Sequence, residues 1–275
     1  MATAQKKTAP KAQLNKYDEE LAAFAAQYAT MEDGSTGSLQ FVSTKGGRLS
    51  FNGGEIPEGR MNIVVLDHVL ENQFYVDAFD ANNPASPVCF AFGTNDKDMQ
   101  PHEKSSDPQG SDEGMCHGCP MNEFGSAERG KGKACKNIRR LALITEGDLD
   151  DIENATVAYL KVPVMSVKNW AGYVQQLGNV LKVPPFAVIT EVSVVPDPKS
   201  QFRLQFKMVE QITDKAQVKA LIGKREAIQQ ELRTPYQAFE AAEEAPAPRA
   251  AAKKPAGRPA PRKPEPKKPA GKRKF

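Results

Sequence analysis

Apolar residues at Leu14, Tyr17, Leu21, Phe24 and Tyr28 recur in steps of three and four. That spacing lines one side of a helix and predicts an amphipathic helix over residues 13–30. After a turn-rich break at 32–37 the period changes. Short runs at 39–43, 48–51 and 61–67 are separated by Gly46-Gly47 and Gly53-Gly54, and a run rich in aromatic and β-branched residues follows around Phe74, Tyr75, Val76 and Phe79. These read as strands joined by glycine turns. Further strands are predicted at 88–92, 141–144 and 156–164, with a polar excursion over 94–113 interrupted by Pro101 and Pro108.

Downstream, Ser166 is placed to cap a helix over 167–181 whose apolar face carries Trp170, Val174, Leu177 and Leu181, and Pro184-Pro185 stops it. Residues 186–194 and 202–208 alternate as strands on either side of a loop at 196–200. Asp214 caps a last helix, within 213–234, through Val218, Leu221, Ile222, Ile228 and Leu232. The succession predicts a mainly β (α+β) fold, a small barrel or sandwich rather than a parallel α/β sheet.

Composition changes the picture mainly at the ends. Residues 1–12 read as a flexible leader. The 31 residues from 245 onward hold eight Pro, eight Ala and eleven Lys or Arg against one acid, Glu265. From about residue 240 such a tail cannot bury apolar surface, and it is expected to be disordered. The whole chain has 37 basic and 34 acidic residues, so setting those 31 aside leaves 26 basic against 33 acidic. An acidic body carries a basic tail. No apolar run approaches the ~18 residues of a membrane span, and the polar start does not read as a signal peptide. A reducing compartment, with no membrane partner, is the expected setting.

Candidate chemistry centres on the four cysteines, Cys89, Cys116, Cys119 and Cys135. Cys116-His-Gly-Cys119 has the spacing of a zinc knuckle, and the other two thiols could complete one structural zinc ion without an open position for water. An insert over 89–140 would then take its folding energy from the metal. Two disulfides, redox use of the CxxC pair, or four unrelated free thiols remain open, and His102 or His117 could replace a thiol as ligand. Six cations, Arg129, Lys131, Lys133, Lys136, Arg139 and Arg140, bracket Cys135 beside Gly130 and Gly132. Such a strip can bring side-chain charge and backbone N–H groups to phosphates. Tyr75 and Phe124 are the aromatic residues best placed to stack on bases, whereas Trp170, Phe202 and Phe206 belong to apolar faces. The paired acids Asp77/Asp80, Asp96/Asp98 and Asp148/Asp150 lack a second motif, and no phosphate-binding glycine loop occurs. No catalytic activity is expected.

The runs Pro87-Val-Cys-Phe-Ala-Phe-Gly93, Cys116-His-Gly-Cys-Pro-Met-Asn-Glu-Phe-Gly-Ser126 and Gly130-Lys-Gly-Lys-Ala-Cys-Lys136 resemble bacteriophage single-stranded-DNA-binding proteins. The resemblance spans roughly residues 35–210. It implies an OB-like core over 35–212 with an inserted zinc subdomain, and a chain that coats and protects single-stranded DNA without sequence preference during phage replication or recombination, in the cytoplasm of the infected bacterial host. Replication or recombination proteins are the partners it would imply, although the family's tails are usually acidic and this one is basic. Two rival readings stand beside it: a metal-dependent nuclease or recombination factor, and a zinc-bearing interaction module whose tail binds polyanions.

Overall fold

The structure is a computed structural model that describes residues 39–51, 54–76, 86–128 and 130–236. The expected helix over 13–30, the leader and the basic tail lie outside the described residues. Among the described residues there are nine strands: β1 Gln40–Val42, β2 Ser50–Phe51, β3 Gly54–Glu55, β4 Arg60–Phe74, β5 Cys89–Gly93, β6 Lys136–Thr145, β7 Ala158–Val162, β8 Val188–Asp197 and β9 Gln201–Gln211. Two helices accompany them, α1 Val164–Gln176 and α2 Lys215–Ala227.

Seven strands form one sheet in the order β1-β7-β6-β4-β8-β9, with β5 also paired to β4. All pairings in it are antiparallel except β1 with β7. β4 is the spine: its first residues pair with β8, its length with β6 and its end with β5. The expected barrel is not found. Among the described residues no pairing joins β1 to β9, so the sheet stays open and the fold is mixed α+β.

An open sheet has two faces, and both are buried. On one, Ile63, Val65, Leu141, Leu143, Leu160, Val188, Val192 and Leu204 pack with Trp170, Tyr173 and Leu177 from α1 and its continuation. On the other, Val64, Leu66, Val69, Ala142 and Ile144 pack with Leu221, Ile228 and Leu232 from and beyond α2. Burial on both sides explains why β4 and β6 read as nearly continuous apolar runs rather than alternating ones. One irregularity sets the phase. Val65 pairs with Leu143 and Asp67 with Ala142, so Leu66 is an extra residue in the ladder, a β-bulge.

The helix boundaries follow local chemistry. Asp214 Oδ1 accepts from the backbone N–H groups of Ala216 and Gln217 at 2.7 and 3.1 Å, the cap expected at the start of α2. α1 starts earlier than expected, directly after Pro163, and Ser166 does not cap it. The Ser166 side chain is buried and accepts a hydrogen bond from the Leu204 N–H at 2.9 Å, tying the helix to β9. After Gln176 a π turn, Leu177–Leu181, ends at Lys182 in the left-handed conformation, with φ of 59°.

Candidate nucleic-acid interface

Residues 94–135 leave the end of β5 and return at β6 without forming a strand of their own. Met99 and Cys116 bury this lobe against Ala91, with Leu70 beside them. Four hydroxyl and amide side chains fasten its turns. Ser105 Oγ accepts from the Phe90 N–H at 3.1 Å, and Ser111 Oγ from the Met115 N–H at 3.2 Å. Ser126 Oγ donates toward the Met121 and Glu123 carbonyls and accepts from the Ala134 N–H. Asn122 donates to the Cys116 carbonyl and accepts from Lys133 Nζ. Short polar side chains that bond nearby backbone groups stabilise turns without regular structure.

The cysteines of this lobe overturn the zinc expectation. Cys89, Cys116, Cys119 and Cys135 line one small pocket, with Asn72, Phe90 and Met121 among the residues between them. They are nevertheless free thiols. Among the described residues no three His, Cys, Asp or Glu side chains are placed so that they could hold a metal ion. Burial pushes the Cys116 thiol up to about 11 and the Cys135 thiol up to about 12, and the neighbouring thiols add to the effect. Cys89 is raised by burial as well, although its sulfur accepts from the Gln109 N–H at 3.2 Å. Neutral buried thiols behave as small apolar groups. The histidines considered as substitute ligands lie elsewhere: the His102 ring stacks on Phe90 at 5.0 Å, and His117 is exposed.

The basic strip divides where β6 begins, because consecutive strand residues point to opposite faces. Lys131 and Lys136 are exposed, Lys133 and Arg139 are half-buried, and Arg129 lies outside the described residues. Lys136 Nζ donates to the Lys133 carbonyl at 2.9 Å, which folds the strip back on itself. Arg139 donates to the Ile138 carbonyl at 2.8 Å; burial draws its pKa down against the opposing pull of Asp96. Arg140 does not belong to the strip at all. Its side chain is 1% exposed and pairs with Glu71, itself 0% exposed, through Nε–Oε2 and Nη2–Oε1 contacts of 3.0 and 2.8 Å. The expectation that Arg140 meets phosphate is corrected by that bidentate pair.

Phe124 is the most open large apolar side chain in the lobe, 81% exposed, and Lys133 Nζ sits 5.1 Å from its ring centroid. Tyr75 is half-buried and donates its hydroxyl to Gln73 Oε1 at 3.1 Å; burial and the Glu71 charge push its pKa up to about 12.

A second group of aromatic and charged side chains gathers on one face, an assembly the sequence reading did not foresee although it named Arg140, Phe90 and Phe92 separately. β5 contributes Phe90 and Phe92, β4 Glu71 and Gln73, β6 Arg140, β7 Lys161 and β1 Phe41. By register Phe92 lies across from Glu71, Phe90 from Gln73 and Lys161 from Arg140, so these side chains share one face. Arg140 lies over Phe92 at 4.4 Å, and Lys161 over Phe41 at 5.0 Å. Tyr236 reaches into the group from beyond α2: its hydroxyl donates to Glu71 and accepts from Gln73 Nε2 and from Lys161 Nζ, the last at 2.7 Å. Burial raises the Glu71 carboxyl, but the Arg140 charge and hydrogen bonds prevail and hold it below its ordinary value. Burial lowers Lys161 to about 8. The sequence signal was a lone Glu inside an apolar strand, since a carboxylate is almost never fully buried unless paired.

No protein-family model matches this chain, and no curated protein or solved structure matches it. Among the described residues no helix is long and apolar enough to cross a membrane.

Proposed function

We propose that the protein binds and protects single-stranded DNA, largely without regard to sequence, as the phage proteins it resembles do. The observation that carries this reading is Phe124. An aromatic ring 81% exposed in a lysine-bearing turn buries little of its apolar surface against the protein, and exposed bases are flat apolar partners for it. Lys133 beside the ring and the exposed Lys131 and Lys136 supply charge for the flanking phosphates. Backbone N–H groups at Gly130 and Gly132 would add donors that do not depend on side chains. The acidic balance of residues 1–244 works against binding anywhere but such local patches, and the basic tail would hold the strand nearby at high effective concentration. The protein turns over no substrate in this reading.

The test is a fluorescence titration of the full chain and of a chain ending at residue 244, each with oligo-dT and with duplex of equal length at two salt concentrations. Both proteins should bind the single strand more tightly than the duplex. A tail-deleted, folded protein that binds neither would reduce the activity to non-specific attraction by the tail.

A further inference from the structure

Tyr236 fills a slot whose walls have the chemistry of a nucleobase site. Its ring meets Phe90 edge-on at 5.2 Å and lies under Lys161, whose Nζ is 4.4 Å from the ring centroid. Phe41 borders the slot; it is 38% exposed and 5.0 Å from the same ammonium. At the inner end the tyrosine hydroxyl meets three polar groups together: the Gln73 amide nitrogen, the Glu71 carboxylate and the Lys161 ammonium. Gln73 is fixed with its nitrogen toward the slot because its oxygen accepts from Tyr75. The end wall therefore presents an acceptor and two donors, with Gln73 Nε2 and Arg140 Nη2 each also donating to Glu71 Oε1 at 2.8 Å.

Such a wall complements the edge of a keto pyrimidine. Thymine and uracil carry one N–H donor between two carbonyl acceptors. Cytosine places an acceptor where the carboxylate would need a donor, and an unpaired buried acceptor is costly. A phenol ring and a pyrimidine are similar in size and both are planar.

The plug belongs to no helix or strand and is held by its side chain, through the hydroxyl contacts just named and the Phe90 and Lys161 contacts to its ring. Behind it the chain is anchored by the fully buried Leu232. From there to Tyr236 the backbone is tied by the Arg233 N–H to the Gln230 carbonyl at 3.1 Å, the Thr234 N–H to the Glu231 carbonyl at 2.9 Å and the Arg140 guanidinium to the Thr234 carbonyl at 2.8 Å, while the Arg233 guanidinium donates to the Gln229 carbonyl at 3.0 Å. Pro235 has no N–H to contribute. We infer that the slot occupied by Tyr236 is a binding subsite for a thymine or uracil base of a single strand, with residues 234–236 as a strap that the base displaces. This inference rests on the single-strand reading above and adds to it one position with a base preference.

The full-length protein and Tyr236→Ala are to be titrated with oligo-dT and oligo-dC of equal length. Removing a plug that closes the slot most of the time raises apparent affinity by the inverse of the open fraction. Tyr236→Ala should therefore bind oligo-dT about tenfold more tightly than the native protein does, with a much smaller gain for oligo-dC. Adding Lys161→Met should cancel the gain. Amide hydrogen exchange on the native protein gives a reading that needs no variant: oligo-dT should speed exchange at Arg233 and Thr234. Equal or weaker oligo-dT binding by folded Tyr236→Ala, or exchange that stays the same or slows, overturns the slot while leaving the single-strand reading intact. A native protein that binds neither oligonucleotide overturns both.

Discussion

Glu71 and Arg140 decide more at the residue scale as a buried pair than Arg140 could as one cation of an exposed strip. Both are sealed from solvent and each answers the other's charge. Removing one partner of such a pair leaves an uncompensated buried ion and costs ~3–5 kcal/mol. Glu71→Gln should lower the unfolding free energy by that amount, read as a lower urea midpoint at unchanged m-value, whereas Glu71→Met combined with Arg140→Met should cost much less. Lys161 makes an opposite contribution. An unfolded lysine titrates near 10.5 and the folded one near 8. Between those limits the unfolded chain binds more protons, so this residue makes stability rise with pH from about 8 to 10.5, by at most ~3 kcal/mol. Below the folded value its cost is constant. Urea melts across that window should show the rise in native protein relative to Lys161→Met, even though the raised thiols of Cys116 and Cys135 pull the other way as pH climbs.

Elements explain why only part of the site was legible. The cations bracketing Cys135 look contiguous on paper, but β6 starts at Lys136 and sends Arg139 and Arg140 to opposite faces. Helix caps and strand runs rest on local chemistry, so Asp214, the β8–β9 hairpin and the long polar lobe were all readable. Pairing partners are not local. Nothing near Lys161 announces that Arg140 lies beside it across the ladder, and nothing near Tyr236 announces Glu71, 165 residues earlier. The cysteine spacing failed for a similar reason. A knuckle motif gives two thiols their separation, while the approach of Cys89 and Cys135 depends on how β5 and β6 are seated, and the lobe is held by Ser105, Ser111, Asn122 and Ser126 instead. Phe124 was legible because its neighbours are polar. Phe124→Ala should weaken oligo-dT binding by ~1–3 kcal/mol with no change in thermal midpoint, measured by anisotropy and melting on the same sample.

The whole molecule sets an acidic body against a basic tail. Residues 1–244 hold 26 basic and 33 acidic side chains, and the rest eleven basic and one acidic. In the proposed reading, phosphate neutralisation by the tail would release counterions in proportion to the contacts made, at ~0.7 per phosphate on a single strand. Deleting residues 245–275 should therefore flatten the dependence of log affinity on log salt far more than Phe124→Ala does. Affinity plotted against salt for the three proteins checks this directly.

The bulge at Leu66 governs how this chain tolerates edits of its length. Along the rest of β4 each residue lost or gained would turn every later side chain through the sheet, carrying Glu71 and Gln73 away from Arg140 and Tyr236. At Leu66 the ladder already holds one residue too many. Deleting it should leave Asp67 opposite Ala142 and all later pairs as they are, at the cost of a cavity beside Val64 and Val69. The deletion should lower the melting temperature yet preserve oligonucleotide binding, whereas deleting Val69 should abolish both fold and binding. Insertions and deletions that survive in β4 would thus be confined to one position, fixed by geometry rather than by chemistry.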